Sequence, residues 1–139
     1  MPLAPFALEE YLMRITIQEV IDDIDRKKPN SFTDDEKKLW LSQVDGKVYT
    51  ELFMTHEYPG ERPPFTGYDQ DTPPDTELLI PYPYTDVYKH YLASKMDLSN
   101  AELQKYANDH TMYNAEWTTF SDYWTRTHPP LNPYPHFML

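Results

Sequence analysis

Half of the fourteen prolines in this 139-residue chain fall between residues 56 and 83: Pro59, Pro63, Pro64, Pro73, Pro74, Pro81 and Pro83. Each proline fixes φ, removes a backbone donor and pushes the residue before it away from helical geometry, so helix is excluded across most of this segment. Only 3 glycines accompany the 14 prolines, which points to rigid, extended connections rather than the glycine-shaped loops that surround many enzyme sites. A chain of this length builds one core, so the segment reads as a long loop splitting a single domain. Within it Phe65-Thr66-Gly67-Tyr68 and Glu77-Leu78-Leu79-Ile80 are apolar, and the second fits a short strand or an extended clip. A loop this long is usually functional or disordered, and its aromatics argue for function. Phe65, Tyr68, Leu78, Leu79 and Ile80 are therefore the candidate contacts with a partner or another copy.

Before the loop, two helices announce themselves by the same device. Thr16 followed by Glu19 forms a capping box, and Ile17, Val20, Ile21 and Ile24 then make an apolar stripe with Asp22, Asp23, Asp25 and Arg26 facing water. Lys27 and Lys28 suit the negative end of the helix dipole, and Pro29 stops the helix. Thr33 and Glu36 repeat the box, with Asp34 and Asp35 in the first turn. Leu41, Val44, Val48 and Leu52 line the second helix, flanked by Trp40 and Tyr49. Gly46 costs this helix about 1 kcal/mol relative to alanine; it either admits a close neighbouring helix or is a tolerated exposed residue.

After the loop, a third helix is expected over residues 84–98, with Tyr84, Val87, Tyr88, Tyr91 and Leu92 on one side. Ser99 and Glu102 read as a third capping box. Leu103, Tyr106, His110, Tyr113, Trp117, Phe120 and Trp124 then alternate spacings of three and four, a heptad-like core seam. A helix over residues 100–126 would run about 40 Å, longer than a domain of this size needs, so the seam serves as core, as subunit contact, or as both. From Pro129 the chain is too rich in proline for helix and is expected to follow an extended course, with Tyr134 and Phe137 as apolar anchors. The expected organisation is an all-α bundle of about four helices over 16–128, an arm or leader at 1–15, and an extended tail at 129–139. Met13-Arg14-Ile15-Thr16 resembles a gene start, which leaves residues 1–12 as an optional leader or an arm that orders on a partner.

A formal net charge of −11 argues against simple binding to nucleic acid or anionic membrane and favours a protein partner. The absence of cysteine removes disulfides, thiolate zinc sites and cysteine nucleophiles, and fits a reducing, intracellular setting. No stretch approaches the ~20 apolar residues of a membrane span, and the first residues lack a signal peptide's basic opening. Asp86 and His90 sit at i, i+4 and Asp109 and His110 are adjacent, but neither belongs to a recognised metal set. His110 at a seam position is expected to be structural. There is no phosphate loop, nucleophile elbow or dinucleotide fingerprint, and Asp22-Asp23 and Asp34-Asp35 read as solvated charges. No catalytic residue, cofactor, metal or small-molecule substrate is expected. A hydrolase using Asp86, His90 and His110 stands as the least favoured alternative.

Four stretches carry a resemblance: Trp40-Leu41-Ser42-Gln43-Val44-Asp45-Gly46-Lys47-Val48-Tyr49, Phe65-Thr66-Gly67-Tyr68-Asp69, Asp75-Thr76-Glu77-Leu78-Leu79-Ile80-Pro81 and Tyr88-Lys89-His90-Tyr91-Leu92. Together with Asn114-Ala115 and Tyr123-Trp124-Thr125-Arg126-Thr127-His128, they make residues 15–128 resemble the head-tail connectors of tailed phages and prophages, in order and texture. The resemblance implies a non-enzymatic helical adaptor. Its copies would form a ring beneath the portal protein, joined to a tail or head-closure protein, with DNA only as passing cargo. It implies residence at the virion head-tail junction, and in the host cytoplasm during assembly. The alternative is a small acidic regulatory protein that binds a basic host protein.

Overall fold

The computed structural model describes residues 12–131, so the expectations for the arm before Leu12 and for Tyr134 and Phe137 lie outside the described residues. Strand β1 (Arg14–Thr16) leads directly into helix α1 (Ile17–Lys27). The Thr16 hydroxyl accepts the Glu19 N–H, and the Glu19 carboxylate accepts the Thr16 N–H, both at 3.2 Å. Ile17, Val20, Ile21 and Ile24 are all buried, as the stripe requires. Helix α2 (Asp34–Val48) begins with the same box at Thr33 and Glu36. It runs on into a π-helical turn, Tyr49–Phe53, whose wider winding turns the adjacent Leu52 and Phe53 inward together.

The proline-rich segment contributes strand β2 (Glu77–Pro81), which pairs antiparallel with β1. This pairing sharpens one expectation and corrects another. The mostly helical class stands, with the short β element allowed for in the loop now one strand of a two-stranded sheet, and Arg14 and Ile15 belong to the domain rather than to an arm ending at residue 15. Further backbone bonds seal the join: the Ile17 N–H reaches Thr76 O at 3.0 Å, and the Tyr82 N–H reaches Met13 O at 2.7 Å.

Helix α3 (Asp86–Ser99) and helix α4 (Leu103–Thr127) form a hairpin. The capping box expected at Ser99 and Glu102 is not formed, because Ser99 ends α3 instead of starting α4. The chain wraps back on α3, with the Ala101 N–H on Leu98 O at 3.1 Å and the Glu102 N–H on Asp97 O at 2.9 Å. Ala101 takes φ +56° to make the turn. The S-x-x-E spacing reads the same whether its serine opens one helix or closes another.

The core gathers at the C-terminal half of α4. Phe120 and Trp124 are buried there, the Trp124 ring stacks on Phe53 at 4.6 Å, and the His128 ring stacks on Trp124 at 3.6 Å. Leu103, expected as the first seam residue, is corrected to a surface position at 67% exposure. Tyr106 and His110 are half-buried and stack on each other at 5.3 Å, Tyr113 is buried, and Trp117 lies half-buried beneath the Lys47 ammonium at 4.4 Å. The reason is length: α4 has 25 residues against 14 in α3, about 37 Å against 21 Å. Only the part of α4 that the π turn and Tyr84 also cover becomes core. The start of the expected tail is pinned as well, since the Glu57 N–H bonds Pro129 O at 2.8 Å and the Leu131 N–H bonds Thr55 O at 3.0 Å.

The left-handed Ala101 yields the first prediction. Ala101→Gly relieves the Cβ penalty of positive φ and raises the urea midpoint by the equivalent of about 0.5–1 kcal/mol. A lowered midpoint would show that the turn is not held in this conformation.

Candidate functional site

The most constrained group in the fold is the carboxylate of Asp45, on the inner face of α2 and 0% exposed. It collects three donors from three parts of the chain. The Tyr88 hydroxyl of α3 donates to Oδ1 at 2.5 Å, and the Tyr68 hydroxyl of the loop donates to Oδ2 at 2.5 Å. The Leu79 N–H of β2 also donates to Oδ2, at 3.0 Å. The Tyr88 oxygen in turn accepts the Ile80 N–H at 2.8 Å, and the Arg14 guanidinium of β1 donates to Leu79 O at 2.8 Å. This explains the irregular register of the sheet, in which Arg14 faces Pro81 and Thr16 faces Glu77. The β2 residues left unmatched by β1 give their backbone groups to Asp45, Tyr88 and Arg14 instead.

Burial pushes the Asp45 carboxyl up to about 6, against the pull of its two tyrosine bonds, the Leu79 N–H and the Arg14 charge. The same burial, followed by the nearby negative charge, raises Tyr68 and Tyr88, so both phenols stay protonated and remain donors. Sealed from solvent, this centre offers no opening to a substrate. Its chemistry is that of a clamp that binds loop, strand and helix to one carboxylate.

The contact residues expected in the loop are therefore turned inward. Leu78 and Ile80 are fully buried, and their assignment as partner contacts is overturned: in β2 they form core. Leu79 is partly buried against the core. Tyr68 spends its hydroxyl on Asp45, and its N–H donates to the Ser42 hydroxyl at 2.9 Å. Phe65 packs edge-on against Tyr68 at 5.3 Å and beside Tyr49 at 5.7 Å. What approaches Gly46 is Phe65, not a helix: a Cβ there would meet its ring at an ordinary 3.9 Å. Gly67 is constrained more tightly, with φ +100° and Ser42 Oγ 3.1 Å from where a Cβ would stand. The buried Lys38 ammonium adds a clasp, donating to Gln70 O and Thr72 O at 3.4 and 3.1 Å.

Asp86, His90 and His110 each have other neighbours. His90 Nδ1 pairs with the Glu116 carboxylate of α4, Asp86 lies 3.7 Å from Lys89, and His110 stacks on Tyr106. Among the described residues no group of three His, Asp or Glu side chains is placed to hold a metal ion. None of their helices is long and apolar enough to cross a membrane. The apolar side chains left in water include Leu98 at the end of α3, Leu103 and Met112 on the first half of α4, and Met13 and Tyr82 at the end of the sheet.

Asp45 escaped sequence reasoning because an aspartate among Asp and Lys looks like one more solvated charge. A signal was present all the same. Its spacing from Leu41, Val48 and Leu52 places it inside the apolar stripe of α2, where a carboxylate must find donors. No family model, curated protein or solved structure matches the chain.

The Asp45 centre predicts how stability varies with pH. With Asp45 raised to about 6 from an ordinary 3.8, the folded state holds this proton more tightly than the unfolded chain. The contribution is present below the lower value and is lost as pH rises through the higher one, a change of about 3 kcal/mol. Asp45→Asn keeps the shape without the titration, so urea unfolding between about pH 4 and pH 7 should have a flatter pH profile in the variant than in the wild type. Equal slopes would contradict the assignment.

Proposed function

We propose that this protein is a non-enzymatic head-tail connector of a tailed phage or prophage, a ring subunit that bridges the portal protein and a tail or head-closure protein. The single structural observation that carries the reading is the division of α4. Its second half is core, while its first half lies outside the core and keeps Leu103 and Met112 in water, with Leu98 exposed at the end of α3. A long helix half used by its own domain leaves the other half free to meet a neighbouring copy. The buried clamp supports the same reading, since a load-transmitting subunit needs its long loop fixed rather than mobile. The net charge of −11 suits a conduit through which DNA slides without sticking. The loop is no longer the contact element of this proposal; the first half of α4 takes that role. DNA remains passing cargo, and the virion head-tail junction remains the proposed location.

Negative-stain electron microscopy of the protein mixed with its portal, together with composition analysis of purified particles, tests the reading. Rings on the portal and the protein's presence in particles are expected. Leu103→Glu should abolish the rings while changing monomer stability by less than about 0.5 kcal/mol, because the side chain is exposed. A protein that stays monomeric with the portal and is missing from particles sinks the proposal. If it is instead captured by a basic host protein in a salt-sensitive complex, the acidic regulatory reading takes its place.

A further inference from the structure

A groove of about 570 Å³ lies where the two-stranded sheet meets the start of the proline-rich loop. Leu12, Arg14 and Leu79 line it from the sheet side, and Tyr58, Pro59 and Pro63 from the loop side. Leu12, Tyr58 and Leu79 are partly buried against the core and also line the groove, so each keeps apolar surface toward it. Half-buried apolar side chains around a concavity mark a place where a ligand completes the packing. None of the described lining comes from α4, so the groove is separate from the surface of Leu103 and Met112.

Its walls are held from behind. On the sheet side, the Leu79 N–H bonds Asp45 at 3.0 Å and the Arg14 guanidinium bonds Leu79 O at 2.8 Å. On the loop side, the Arg62 guanidinium donates to Phe53 O at 2.8 Å and to His56 O at 3.4 Å, while the Tyr58 ring packs on Phe53 at 5.1 Å and lies 6.2 Å from Trp124. A groove with walls pinned in this way costs its occupant little ordering of the protein.

The polar part of the lining is acidic. Glu61 and Glu77 are exposed, and among the described residues neither carboxylate has a hydrogen-bond or ion-pair partner. Against these two stands Arg14, already donating to Leu79 O; Arg62, next to Glu61 in sequence, is turned to Phe53 and His56. Two carboxylates to one guanidinium, on a chain of net charge −11, attract a basic occupant and repel an acidic one. A second copy of the same chain brings like charge overall, which favours a partner of different composition. The volume suits a few residues of extended peptide rather than a folded face. Tyrosine and proline walls accept proline rings, leucine side chains and the aliphatic stems of lysine and arginine.

We propose that this groove is a docking site for a short extended segment of a partner protein in which proline or leucine alternates with basic side chains. Glu61 and Glu77 take the cations, and Tyr58, Pro59, Pro63 and Leu79 take the apolar side chains between them. The site belongs to the single folded chain, so it stands whether or not copies assemble into a ring.

Amide-resolved NMR titration of the full chain tests this with two capped peptides, Lys-Pro-Leu-Arg-Pro-Leu and its acidic counterpart Glu-Pro-Leu-Glu-Pro-Leu. The basic peptide should give saturable shifts centred on residues 12–14, 58–63 and 77–79, and the acidic one none. Raising the salt from about 25 to about 250 mM should weaken the basic peptide several-fold, because the pairing carboxylates are exposed. Glu61→Lys combined with Glu77→Lys should weaken it by about tenfold or more and let the acidic peptide bind, with the fold retained because both side chains are exposed. The salt dependence of the wild type carries the same test should that variant fail to fold. Absence of saturable shifts at these residues overturns the proposal. So does equal binding of the two peptides, an affinity indifferent to salt, or shifts gathered on residues 98–112 instead. If residues 12–14, 58–63 and 77–79 shift when the protein alone is concentrated, the groove belongs to a second copy, and the proposal falls equally.

Discussion

A single carboxylate, fully enclosed, decides how this chain is joined. Burying Asp45 is costly on its own, and the fold meets that cost by drawing donors from α3, β2 and the loop to one point. The consequence runs both ways. The carboxylate needs the loop's tyrosine, and the loop, poor in internal backbone bonds because of its prolines, needs a fixed acceptor. Thus a segment that cannot fold by itself becomes a structural part of the domain, with Lys38 and Arg14 fastening its flanks.

The helices were legible in the sequence because their signals are local. Thr16, Thr33 and Pro29 mark ends, and Ile17, Val20, Ile21 and Ile24 mark a face. The strand at Glu77–Pro81 was half legible, as an apolar run; its partner at Arg14–Thr16, more than sixty residues away, had no local sign. The Ser99 box misled because capping spacing carries no direction. The seam misled at Leu103 because heptad spacing says which residues share a face and not how far along the helix a neighbour extends. The loop misled most. Apolar residues on a proline-rich segment have the same pattern whether they meet another molecule or their own core, and the feature that separates the two cases is an aspartate in a distant helix.

With the loop turned inward, the proposed contact surface moves to the hairpin of α3 and α4, where Leu98, Leu103 and Met112 are exposed. Its two halves differ in what holds them. Aromatic stacking among Phe53, Phe120, Trp124 and His128 secures the second half of α4, while the first half carries the half-buried Tyr106 and His110 rings, stacked on each other.

The claim that Asp45 couples loop to helix is tested most directly by a double-mutant cycle between Asp45→Asn and Tyr68→Phe at neutral pH. Because the Tyr68 hydroxyl donates to a buried charge, the two changes should be non-additive in unfolding free energy by about 1–3 kcal/mol. Additivity within about 0.5 kcal/mol would mean that the loop is held by something other than this carboxylate, and would contradict the account.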